Sequence, residues 1–171
     1  MDVVEIINQK YFLGQEFLTW LWYFSEEEDF LELSTGKRVA VMLGDRLVLG
    51  PAQGQEGTRV TVRGQEISLA EAREALRQGK LVESLRLGLA VDGEEYLLNL
   101  RAADLGISAL KLPPTAGTEE GEEGQILERV ALIEEVTAAL DGLFAHFLML
   151  RLADNGGPLA EGMAAWAQRE D

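Results

Sequence analysis

The chain has no cysteine, a single histidine, four prolines and half as many bases as acids. Without cysteine there is no disulfide, no thiolate nucleophile and no thiolate metal site, and the absence suits a reducing compartment. The lone histidine, His146, supplies neither a metal site nor a catalytic triad, so a structural or surface role is expected. No Gly-x-Gly-x-x-Gly and no Gly-x-x-x-x-Gly-Lys-Ser/Thr run is present to cradle a phosphate, and no serine stands in Gly-x-Ser-x-Gly. No uncharged run is long enough to cross a bilayer, and the first residues lack the basic segment of a signal peptide. The expectation is a non-enzymatic cytoplasmic protein with no catalytic residue, no cofactor, no metal and no membrane partner.

What is present fits one domain of 171 residues, 47% of them apolar. The formal charge is −15, which argues against a dominant non-specific grip on phosphates. The charge is unevenly placed, however. Residues 37–111 hold eleven bases against ten acids, so the middle is +1 and −16 lies in the flanks.

Residues 2–13 are short and mixed and read as an arm or a short strand. Gly14 to Glu28 holds Trp20 and Trp22 with Phe17, Tyr23 and Phe24, then stops in acid. Apolar residues nearly encircle it at helical spacing, as in a buried helix, and its length favours helix over a central strand. Residues 30–63 read as β structure: a strand at Phe30–Leu33, a turn at Ser34–Gly36, and a hairpin of Val39–Leu43 with Arg46–Leu49 about Gly44-Asp45. Thr58–Arg63 alternates, with Arg59, Thr61 and Arg63 on one face. Ser68 to Glu71 has the form of a capping box, opening a helix from Leu69 to about Gln78 with Gly79 beyond it, and Leu69, Ala72 and Leu76 facing inward. Lys80–Val91 reads as a long strand with Leu81, Leu85, Leu87, Leu89 and Val91 on one face and Val82, Ser84, Arg86, Gly88 and Ala90 on the other. Asp92-Gly93 turns it into Glu95–Arg101. Leu105–Leu112 reads as short and apolar, one helical turn. The breakdown is a sheet domain over 1–112, an acidic flexible loop over 113–125 and a helical segment over 126–171 packing on the same domain. In the last, Ile126, Val130, Ile133, Leu140, Phe144 and Phe147 form a stripe. The fold class is α+β: an antiparallel sheet built from hairpins, packed against an aromatic-rich N-terminal helix, a short capped helix and a long C-terminal helix.

Arg59, Arg63, Lys80 and Arg86 are the candidate DNA-contacting residues, because bases sharing a sheet face can make charge-assisted bonds to phosphates. The competing reading pairs them with Glu56, Glu66 and Glu83 as ordinary surface residues. Trp20, Trp22, Phe144 and Phe147 are the candidate interface, since they sit among Leu and Phe with no interleaved bases, as core or partner-contacting residues do. The acid runs Glu26–Asp29 and Glu119–Glu123 read as solvated charge.

Several stretches are similar to one family. Gly14–Tyr23 followed by Ser25-Glu26, the run Leu69–Val82 with its Gly79-Lys80, Leu110–Pro113, and the closing helix from Leu127 through Leu143–Leu148 resemble the C-terminal portion of RdgC proteins, the recombination-associated DNA-binding proteins of bacteria. The resemblance covers roughly residues 14–152 and its motifs are structural. It implies an α+β fold and a protein that dimerises into a ring around duplex DNA and restrains the recombinase RecA. Members are longer, so the chain corresponds to a fragment or a free-standing relative. The expected function is thus a DNA-associated, nucleoid-located modulator of recombinase action, with duplex DNA, a second copy, and a recombinase or other protein as partners. The alternative is an acidic protein-interaction or oligomerisation module without direct DNA binding.

Overall fold

The computed structural model describes residues 3–52, 54–64, 69–114 and 121–169. In chain order they form α1 (Val3–Glu27), β1 (Leu31–Glu32), β2 (Arg38–Pro51), β3 (Val60–Arg63), α2 (Leu69–Arg77), β4 (Lys80–Val91), β5 (Glu94–Arg101), β6 (Ile107–Lys111), α3 (Gly121–Leu152), a short 3-10 turn (Ala153–Gly156) and α4 (Gly157–Ala167). The strands make one antiparallel sheet in the order β1-β2-β4-β5-β6, with β3 beside the second half of β2. This is the expected α+β architecture.

The helices cover one sheet face. α1 lies over β2 and β4, and α2, α3 and α4 pack around it. Inward residues of the sheet, among them Val39, Leu47, Leu49, Leu85, Leu87, Leu89, Leu98 and Leu100, are buried beneath them. α1 is sandwiched, which explains why its apolar residues run all round. Trp20 meets Phe24, His146 and Phe147 on one side, while the Trp22 ring stands edge-on to Trp166 of α4 at 4.8 Å. The candidate interface residues Trp20, Trp22 and Phe147 are therefore core residues of this chain, at most 1% exposed, and only Phe144 is partly open. Gly14 lets α1 approach the end of β5, because a Cβ there would lie 2.0 Å from the Ala102 carbonyl oxygen.

Several local expectations are corrected. Residues 3–13 continue α1 rather than forming an arm or strand. Once the buried part of a helix is nucleated, each added residue costs only propagation, so β-branched residues are carried along. Gly44-Asp45 is not a hairpin turn. β2 runs straight through, because its two halves both pair with β4, and residues 44–46 bulge between the Leu43–Leu87 and Leu47–Leu85 pairs. Gly44 has no positive φ; its missing Cβ makes room for Arg86, whose Cγ would be 2.6 Å from it. By contrast Asp92 and Gly93 do take positive φ (48° and 86°), as the tight hairpin between β4 and β5 requires.

A second irregularity, at Glu83, falls between the pairs Val48–Ser84 and Leu49–Val82. A single extra residue reverses the alternation of side chains, so Val82 is buried rather than outward. Thr19 of α1 marks the spot, accepting a hydrogen bond from the Val82 amide at 3.0 Å. Residues 107–111 are an edge strand and not a helical turn. α3 begins at Gly121, inside the stretch read as a loop, and residues 115–120 lie outside the described residues. The proposed cap residue Ser68 also lies outside them, but α2 starts at Leu69 and Gly79 has φ 92° as a residue ending a helix should. The α3 stripe faces inward only in its second half. Val136, Ala139, Leu143 and Phe147 are buried, whereas Ile126, Leu127, Val130 and Ile133 are 45–69% exposed.

The acids ending α1 are not simply solvated. Glu26 accepts from Arg73 of α2 at 2.5 Å and from the Trp166 indole of α4 at 2.8 Å. Arg73, 6% exposed, also donates to the Trp166 carbonyl and lies 5.2 Å from that indole ring. Glu27 pairs with Arg169. The acids that oppose the helix dipole are held there by cations from two other elements.

Candidate functional site: the open sheet face

Among the described residues no element covers the second face of the sheet. Cross-strand register fixes what stands on it, since directly paired residues point the same way. Thr61, Val48, Ser84 and Arg101 form one row across β3, β2, β4 and β5. Arg46 and Arg63 form the pair next to it. Arg59 flanks the same row, and Arg86 pairs with Asn99, which pairs with Ser108 of β6. Five arginines thus meet on one surface.

Their states differ. Arg86 is largely buried; it donates to the Asn99 side-chain oxygen at 3.0 Å and lies 3.9 Å from Asp45. It is occupied in holding the β2 bulge against β4. Arg59 pairs with Glu83 at 2.7 Å and Arg101 with Asp104 at 3.0 Å. Arg46 and Arg63 are exposed and have no ion pair among the described residues. Two like charges directly opposite on neighbouring strands destabilise the pairing, so this arrangement costs stability and leaves two guanidiniums ready for an anion.

The candidate set Arg59, Arg63, Lys80 and Arg86 is split by this geometry. Arg59, Arg63 and Arg86 share the face. Lys80 sits at the start of β4, at the α2 turn, where its amine reaches Gln78 at 3.5 Å. Sequence reading missed Arg46 and Arg101: Arg46 was hidden by the mistaken hairpin, and Arg101 by its place at a strand end. The parity of Arg59, Thr61 and Arg63 was the signal that pointed to the face.

The two sides of the molecule differ in charge. Glu16, Glu26, Glu27, Glu122, Glu123, Glu128, Glu134, Glu135, Asp141 and Glu161 all lie on the helices. Of the aromatic residues near the described sheet, Tyr96 points inward, while Phe30, 45% exposed just before β1, lies under the Arg38 guanidinium. Tyr96 is buried, and its hydroxyl lies near the Glu135 carboxylate without forming a hydrogen bond of good geometry. Burial first, then the charges of Glu135 and Glu94, raise its pKa above the ordinary tyrosine value.

No group of three or more metal-ligating side chains is found among the described residues, and no single helix among them is long and apolar enough to cross a membrane. No protein-family model, no curated protein and no solved structure matches the chain.

Proposed function

We propose that the protein is a non-enzymatic, DNA-associated factor that meets the phosphate backbone of a duplex with its open sheet face. The observation carrying this reading is the Arg46–Arg63 couple, without an ion pair among the described residues (Glu66 lies outside them), a repulsive placement that a bound anion would relieve. Arginines without an aromatic ring beside Arg46, Arg59, Arg63 or Arg101 among the described residues favour backbone contact over base stacking, which single-strand binders use. The resemblance of residues 14–152 to the C-terminal portion of RdgC proteins supports duplex DNA and a role in modulating a recombinase, and would place the protein at the nucleoid.

The test is duplex binding at about 50 mM salt, with its salt dependence. Replacing Arg46 and Arg63 by Gln should cut affinity at least tenfold, on the order of 1.4 kcal/mol, and lower the log–log salt slope by about 2. The same substitution should leave the fold intact or slightly firmer, since it removes a like-charge pair. Absence of binding by the wild type, or unchanged binding by the double variant, would sink the proposal.

A second reading, an interaction module, is favoured by the exposed run Ile126, Leu127, Val130 and Ile133 on α3. If this run mediates self-association, light scattering should show a concentration-dependent mass that Val130→Glu reduces. A strict monomer at every concentration removes that role.

A further inference from the structure

We propose that a recess in the middle of the open face is a specific site for a phosphate monoester group. The proposal rests on the reading of this face as a phosphate-binding surface, and narrows it from a track to one pocket.

The recess has a volume of about 340 Å³ and is lined by Arg46, Arg59, Ser84, Asn99, Arg101 and Ser108, with Glu83 at its wall. These residues come from β2, the approach to β3, and β4, β5 and β6, and sheet register holds them together: Ser84 pairs with Arg101, and Asn99 with Ser108. Groups on paired strands keep their spacing better than groups on loops.

The unused groups here are donors. The Ser84 and Ser108 hydroxyls and the Arg46 guanidinium have no partner within the chain among the described residues. The Asn99 side-chain oxygen is occupied by Arg86 at 3.0 Å, which leaves its amide hydrogens as the free end. Arg59 engages Glu83 through Nε and Arg101 engages Asp104 through Nη2, so each keeps N–H groups to spare. Three guanidiniums face one carboxylate in the lining, so a cation is repelled and an anion is drawn in. A phosphate monoester offers several charged acceptor oxygens and no obligatory donor, which suits two hydroxyls, an amide and guanidiniums better than a two-oxygen carboxylate does. At about 30 Å³ per water the recess holds the space of roughly eleven waters, enough for a phosphate with its attached sugar. A duplex does not fit inside it. The group therefore comes from a strand's terminal phosphate or from a free phosphate compound.

The full chain, labelled with nitrogen-15, is titrated with inorganic phosphate at constant ionic strength. Saturable shifts confined to Arg46, Ser84, Asn99, Arg101 and Ser108 are expected, and the Ser84→Ala/Ser108→Ala double variant, with unchanged denaturant midpoint, should bind about tenfold more weakly. Linear shifts spread over the surface, or a double variant that binds as the wild type does, overturn the pocket while leaving backbone binding of duplex untouched. Saturable phosphate binding without any duplex binding upholds the pocket and removes the DNA reading. In a second arm, tighter binding of a duplex bearing 5′-phosphates than of the same duplex with 5′-hydroxyls assigns the ligand to a strand end. Equal binding, with phosphate still saturating the pocket, assigns it to a free phosphate compound.

Discussion

The clamp at the end of α1 allows a quantitative test. Glu26 is 27% exposed and its two oxygens are both used, one by Arg73 and one by the Trp166 indole. Replacing it with Ala takes its carboxylate from a guanidinium only 6% exposed, which keeps the Trp166 carbonyl at 3.2 Å and two indole faces among its neighbours. Breaking a buried pair from one side costs about 3–5 kcal/mol, because the surviving charge loses a partner it cannot replace with water. The lower end applies, since Glu26 is partly solvated and the indole faces retain some cation–π attraction. For a chain of this size, about 3 kcal/mol corresponds to a fall in Tm of roughly 6–12 °C. Arg73→Met combined with Glu26→Leu removes both charges and should lose much less than Glu26→Ala, despite changing more atoms. Urea denaturation measures this, with the midpoint shifting and the m value constant. If Glu26→Ala stays within about 0.5 kcal/mol of the wild type, the clamp is ornamental and the argument fails.

Three further outcomes follow from packing and titration. Gly14→Ala should destabilise by at least about 1–3 kcal/mol in the same assay, because the new methyl meets a backbone carbonyl that cannot rotate away. Thr19→Val keeps the shape but strips the acceptor from the Val82 amide, and a loss of about 1–3 kcal/mol with faster exchange of that amide is expected; an unchanged exchange rate would show that the amide has another partner. Tyr96 should make stability fall as pH rises above about 10, the unfolded value, because the folded form keeps its proton longer than the unfolded one. The stability–pH profile of Tyr96→Phe should be flatter in that range and close to wild type at neutral pH, since the hydroxyl makes no hydrogen bond of good geometry.

Legibility in the sequence followed from how local each signal is. The buried helix with Trp20 and Trp22, the α2 boundary at Gly79 and the Asp92-Gly93 hairpin were readable, because hydrophobic pattern and positive-φ glycine act within a few residues. Gly44-Asp45 misled because the same dipeptide that serves a turn also serves a bulge; only β4, forty residues on, decides between them. Val82 changed face for the same reason, through an insertion visible only in the pairing of two strands. The α3 stripe misled because Ala139 and Val136, small and easily overlooked, mark the packed side, while larger residues remain outside. On the candidate site, Arg59 and Arg63 were legible from strict alternation. Arg46 was not, since its position depends on a bulge, and neither was the recess, which needs four strands to exist.

The division between an acidic helical side and an arginine-bearing sheet side gives the molecule a polarity that outlasts any single contact. A polyanion exerts a torque on such a body, turning the sheet towards itself and the helices away. At about 0.1 M salt this turning acts only within roughly 10 Å, so it sorts orientations at the moment of encounter and does not recruit from a distance. On the proposed reading, one copy offers one usable side to a polyanion, and a second one arriving at its back is turned away. A lone protomer binding in that way would line a polyanion in single file and would not tie two of them together.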